Sequence, residues 1–223
     1  ATRFTLSGWR AVTSSTTLGA ISTSTLFALC AMVIATVLGL MVALGVAYGS
    51  SRFVWLERIS VLPLTVSAVT IGLGILITYD AAPYDFRSAW IITPLAHSLI
   101  ALPIVVRIVL PVVRQIPRGL QSVASTLGAT PLQTWLTVDR PLMSRAVGAS
   151  AAIAFAISIG EFGATSFLTR RSSETLPVTI SRLLSRPGDA LRTQAYALCV
   201  IIVVISMIAI FLIDMLRPAR KAK

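Results

Sequence analysis

The chain predicts an all-α bundle of about five membrane-spanning helices, and three observations carry that prediction. Of 223 residues, 56% are hydrophobic and only 12% charged, where a soluble domain carries about a quarter charged residues. Ala11 to Ser51 contains no charged residue at all, well beyond the roughly 20 apolar residues that span a bilayer. Five apolar runs are long enough for helices, and none shows the alternation of a barrel strand.

The runs follow in order. An outer N-terminal segment, 1–17, precedes a transmembrane domain, 18–217, with spans expected at 18–48, 59–78, 89–113, 145–168 and 193–213; a basic tail, 218–223, follows. Pro63, Pro94, Pro103 and Pro111 fall in or near spans. Prolines there are tolerated because neighbouring helices and local adjustment take up the freed carbonyls. Ala35 and Gly39, and Gly45 and Gly49, stand four apart, a spacing that lets a second helix approach closely. Cys30 and Cys199 lie inside apolar runs and read as small core residues, with neither a disulfide framework nor metal-ligand spacing. His97 has no His or Cys partner at ligand spacing.

The net charge is +11. On a soluble chain that would suggest nucleic acid, but no Lys/Arg-rich run is interleaved with aromatics, so no nucleic-acid partner is expected. Basic residues at span ends set orientation and touch anionic lipid headgroups instead. With the 119–141 loop on one side, five spans place eleven Lys and Arg there and eight on the other. That bias makes the loop side cytoplasmic. The C-terminus is then cytoplasmic and Ala1 outside. No signal peptide precedes the first span, and the chain does not begin with Met; an earlier span upstream would account for both.

The loop itself, Ser122 to Pro141, reads SVASTLGATPLQTWLTVDRP. Val123, Ala124 and Leu127 share one face of a short helix, and Gly128 is a natural helix stop. Thr130 is placed as an N-cap with Pro131 at the first helical position and Gln133 three residues after the cap, a capping box. The second helix carries Leu132, Trp135 and Leu136. Pro141 biases Arg140 away from helix and is expected to open the fourth span. So short a unit cannot bury all these apolar groups. Two readings stand: a docking surface for a partner, or an amphipathic loop lying on the headgroups.

In the expected spans Glu161 is the one acid, between Gly160 and Gly163 in the fourth. An intramembrane carboxylate is costly and usually faces the bundle interior or a wet cavity. It reads either as a pathway-lining or gate residue, with the glycines permitting a helix break, or as a protonated or Arg-paired structural group. Arg107 reads as snorkelling to the headgroups. Thr175 and Pro177 are expected to start a short outer helix through Leu184. The basic outer loop around it faces either an acidic partner or solvent.

The 122–141 loop resembles the EAA loop of bacterial ABC-transporter permeases: Glu-Ala-Ala, three residues, glycine, nine residues, isoleucine, one residue, Leu-Pro. Gly128, Val138 and Pro141 match, and Ser122, Val123 and Ala124 fall on Glu-Ala-Ala. Ser122 replaces the acid and Arg140 the leucine; Ala129 lies in a typical filling, LGATPLQTW. ALPIVVRIVLPVVRQIP (101–117), ISIGEFGATSFLTR (157–170) and ETLPVTISRLLSRPGDA (174–190) are similar to type I permeases of the ferric iron and thiamine branch, and near to phosphonate and molybdate/sulfate permeases. The chain resembles the second half of a fused permease.

The resemblance implies a MetI-like permease core in a bacterial inner membrane, forming half of a translocation pathway, with ferric iron or thiamine as the expected substrate. The implied partners are an ATPase dimer on the cytoplasmic face, a second permease half and an extracytoplasmic substrate-binding protein. It also implies that the loop is the coupling helix. No G-x-x-x-x-G-K-[ST] is present, so ATP and Mg are expected on the ATPase and no cofactor in this chain. A secondary transporter would need its own coupling-ion site and repeats, and Glu161 alone is available. An intramembrane enzyme is disfavoured, since His97 and Ser98 project about 100° apart on a helix and cannot pair.

Overall fold

The computed structural model describes residues 7–79, 89–169 and 173–215. The segment 1–6, the tail 218–223 and the charges Asp80, Asp85, Arg87, Arg170 and Arg171 lie outside them, as does part of the charge count used for orientation. Among the described residues the secondary structure is helical throughout, without strands.

A short helix α1 (Ser7–Val12) leads into α2 (Ser15–Tyr48), whose 34 residues begin slightly before the expected first span. Small residues make its inner stripe: Ala20, Ser24, Ala28, Ala31, Ala35, Gly39 and Ala43 are all buried. The C-terminal part of this stripe, from Ala35 to Ala43, lies against α5 (Ile92–Arg114). A Cβ on Gly39 would stand 2.5 Å from Val105 Cγ1, so the backbone there is as close as a missing side chain allows. Gly45 and Gly49 do not serve that purpose. A Cβ on Gly45 would meet nothing within 4 Å, and Gly49 is crowded by Phe53 in the local turn.

The expected second span is two helices. α3 (Val54–Val61), continued by a 3₁₀ turn (Leu62–Thr65), meets α4 (Ala68–Tyr79) at 96°. Pro63 lies in that turn, and Val66 is extended between the two helices. Pro103 and Pro111, by contrast, lie inside a continuous α5.

After α6 (Arg118–Thr126) and α7 (Pro131–Thr134), one π turn (Trp135–Asp139) runs directly into α8 (Arg140–Ile159). The helix of the expected fourth span therefore begins at Pro131, not near Arg145, and stops at Gly160. Arg140 is helical, with φ −56° and ψ −47°, against the expectation that Pro141 would exclude it. The π turn accommodates the proline: the Arg140 N–H donates to the Trp135 carbonyl, shifting the hydrogen-bond register just before the residue that has no N–H. A turn of helix, α9 (Thr165–Leu168), resumes after the break. α10 (Leu176–Leu184) matches the expected outer helix, and α11 (Asp189–Met215) closes the chain.

α2, α5 and α8 pack mutually as the central trio. Ala35, Ala43, Val105, Val109, Val113 and Met143 are buried between them. α11 flanks α8 and α10, contributing Ala195 and Leu198 to a second cluster with Ala20 and Leu176. Only 11% of its most apolar window is buried, so Val203, Met207 and Phe211 face outward, as suits a helix bathed in lipid. Cys199 is exposed on this helix and is not a core residue.

Candidate functional site

Two regions bring the predicted residues together. At one end of the bundle, α6 and α7 form the helix–turn–helix. Gly128 has φ +84°, a left-handed conformation that glycine adopts without strain. Around it Ala129 N–H donates to the Ala124 carbonyl and Gly128 N–H to that of Ser125, the paired bonds of a Schellman stop. The next helix opens with both halves of the capping box: Gln133 N–H to Thr130 Oγ1 at 3.3 Å, and Thr130 N–H to Gln133 Oε1 at 2.8 Å. The turn is thus held by local hydrogen bonds on both sides, with Pro131 at the first helical position.

Its apolar groups point away from the bundle. Leu127 is 82% exposed, Leu132 67% and Val123 58%, with Leu120 and Leu136 exposed beside them. Ser122 is exposed, and Ala124 and Ala129 are half-buried. Trp135 does not join this surface. It is half-buried against the core cluster and lines a cavity of about 400 Å³ with Leu40, Met143 and Val147. The expected ridge of Leu132, Trp135 and Leu136 therefore divides: the leucines face out and the tryptophan anchors the loop.

Asp139, not anticipated from sequence, is 6% exposed. Its Oδ1 accepts from Gln121 Nε2 at 2.9 Å and from the Tyr48 hydroxyl at 3.4 Å. One carboxylate thus joins α6, the end of α2 and the start of α8. The polar character of Asp139 inside an apolar helix start was the available signal. Nearby, Arg114 on α5 pairs with Glu57 on α3 at 2.6 Å.

The second region lies toward the opposite end. Residues 160–164 interrupt the helix between α8 and α9, where Gly160 and Gly163 suggested a break. Glu161 is 8% exposed. Its Oε1 accepts from Ala164 N–H at 3.0 Å, and its Oε2 from Thr165 N–H at 3.0 Å and Thr165 Oγ1 at 2.8 Å. The carboxylate caps α9 from below, where an anion is favoured. His97 on α5 completes the cluster, with Nε2 3.4 Å from Glu161 Oε2 and 2.7 Å from Thr165 Oγ1, and Nδ1 2.7 Å from Ser158 Oγ. The Thr165 hydroxyl donates to the carboxylate, and the two ring nitrogens of His97 bridge Thr165 and Ser158. Glu161 is therefore held by two backbone amides and the Thr165 hydroxyl, with His97 beside it and no arginine, and its oxygens point into the chain.

α4 seats on this break. A Cβ on Gly72 would stand 2.5 Å from Ala164 Cα, and one on Gly163 3.1 Å from Val69 N. On the same side of the bundle, Leu176 N–H donates to Ser24 Oγ at 2.6 Å, tying α10 to α2. Arg182 is paired with Glu174, while Arg186 and Arg192 are exposed. Among the described residues no three His, Cys, Asp or Glu side chains gather as a metal site.

Residues 35–222 match the family model described as binding-protein-dependent transport system inner membrane component. The chain belongs to this family of type I ABC importer permeases. The permease is similar to PhnV of Salmonella typhimurium, a permease protein provisionally assigned to 2-aminoethylphosphonate transport: 29% identical over 201 residues, 90% of this chain and 71% of the relative. It is similar also to the molybdenum transport system permease ModB of Haemophilus influenzae, 29% identical over 176 residues, 73% of this chain and 76% of the relative. The sulfate transport system permease CysT of Salmonella typhimurium is 27% identical over 220 residues, 94% of this chain and 79% of the relative. None of these three is named for iron or thiamine. As a permease with several helices apolar enough to cross a bilayer, it is a multi-pass inner-membrane protein and a transport component, not an enzyme.

Proposed function

We propose that this permease forms half of the translocation pathway of an ATP-driven importer for a tetrahedral oxyanion of the phosphonate, molybdate or sulfate class. Phosphonate and sulfate are tetrahedral oxyanions, and molybdenum dissolves in water chiefly as molybdate, a third. The names of the relatives thus favour this substrate class over ferric iron or thiamine. The α6–α7 unit is the coupling element. It faces the cytoplasm and seats in an ATPase subunit, which supplies ATP and Mg. The described C-terminal helix then ends inside, α1 lies outside, and a substrate-binding protein docks on the outer face near α10. The second permease half is another copy, a homologue or a fused segment.

The observation that carries this reading is the outward ridge of Val123, Leu127 and Leu132 on a turn locked by the Schellman bonds and capping box. An apolar ridge on a rigid support, outside the helix bundle, suits a partner surface. The intramembrane acid is already occupied within the chain, which leaves little for an ion-coupled transporter to use. The test is co-purification with the ATPase and uptake in proteoliposomes: Leu127→Asp with Leu132→Asp should release the ATPase and abolish uptake, with normal membrane insertion. Full ATPase binding by that variant would refute the assignment of the surface.

A further inference from the structure

We infer that Asp139 is a positioning residue that transmits the movement of α6 to the spans, with Gln121 and Tyr48 as its contacts; this rests on α6–α7 being the coupling element. α6 has 9 residues, too few to hold a helix alone in water. It packs chiefly on α7, while Leu120, Val123 and Leu127 face outward. Packing therefore fixes α6 poorly against the bundle. The Gln121–Asp139 hydrogen bond, 2.9 Å long, crosses that gap. Its acceptor sits at the end of the π turn, immediately before α8, and the Tyr48 hydroxyl reaches the same oxygen from the end of α2. α2 and α8 are two of the three helices of the central trio. A push on α6 thus reaches both through one buried carboxylate. A carboxylate acceptor makes this bond stronger than one between neutral groups, which suits a tie that must bear load.

The experiment uses the complete transporter in proteoliposomes, with Cys30 and Cys199 replaced by Ala and a spin label on a cysteine at exposed Ser125. Asp139→Leu and Gln121→Leu remove the tie, while Asp139→Asn keeps an oxygen facing Gln121. Both leucine variants are expected to sharpen the label's spectrum. They should also lower transport per ATP hydrolysed about ten-fold, the scale set by losing one hydrogen bond to a charged group. Asp139→Asn should retain most of both properties, and the double leucine variant should be no worse than either single one. If Asp139→Leu fails to accumulate in the membrane, Gln121→Leu alone decides the matter. Unchanged label mobility and an unchanged transport-to-ATP ratio in Gln121→Leu would overturn the inference. Failure of the wild-type chain to bind any ATPase would instead overturn the coupling reading, and the positioning role of Asp139 with it.

Discussion

Gly128 is the residue on which the geometry of the α6–α7 turn depends most. Its φ of +84° costs a β-branched residue about 1–3 kcal/mol, enough to unwind so short a turn. Gly128→Val should therefore reduce ATPase co-purification strongly while leaving the amount of inserted protein unchanged. The exposed and buried members of the same loop should separate cleanly. Leu132→Asp should weaken ATPase binding without changing the thermal midpoint of the detergent-solubilised chain. Trp135→Ala should lower that midpoint, because it empties a site packed against the core and costs up to about 3 kcal/mol at a partly buried position. A single ridge holding both residues would give both variants the same phenotype. The helix stop, the N-cap and the proline were legible because each depends on neighbours within five residues. The inward turn of Trp135 was not, since it depends on the π turn that follows.

Breaks within helices govern the next scale. The interruption at 160–164 was signalled by two glycines beside an acid. Its partners were not, because His97 lies 64 or so residues from Glu161 in sequence, and nothing local marks it as the group that meets Ser158 and Thr165. The bend between α3 and α4 was hidden in the same way. Pro63 was visible, but Pro103 and Pro111 sit in an unbroken helix, so proline alone does not tell a bend from a straight span. The interruption seats on α4, just beyond the bend, where Gly72 approaches Ala164. Gly72→Leu should push α4 off that seat, at a cost of about 1–3 kcal/mol, seen as a lower thermal midpoint. Glu161→Ala removes the cap of α9 and should cost about 2–3 kcal/mol, the scale for taking a charged acceptor away from buried donors. Its effect should shrink in a His97→Ala background, since the two side chains act in one cluster. A Glu161→Ala variant of normal stability that had lost only transport would instead make this acid part of the pathway.

At the scale of the whole molecule, the central trio, the lipid-facing α11 and the exposed turn form a consistent division of labour. In the proposed reading the bundle supplies the path and a separate ATPase the energy. The all-helical class was legible from apolar run length alone, and the family from the spacing of Gly128, Val138 and Pro141. Substrate was not, because nothing on these spans discriminates one oxyanion from another, or an oxyanion from iron. The decisive measurement is uptake of labelled sulfate, molybdate and 2-aminoethylphosphonate into proteoliposomes holding the complete transporter and its binding protein, with ATP present or absent inside the reconstituted ATPase compartment. Uptake of one of them that requires both ATP and the ATPase agrees with this account. Uptake that continues without the ATPase, driven by an ion gradient, would contradict it.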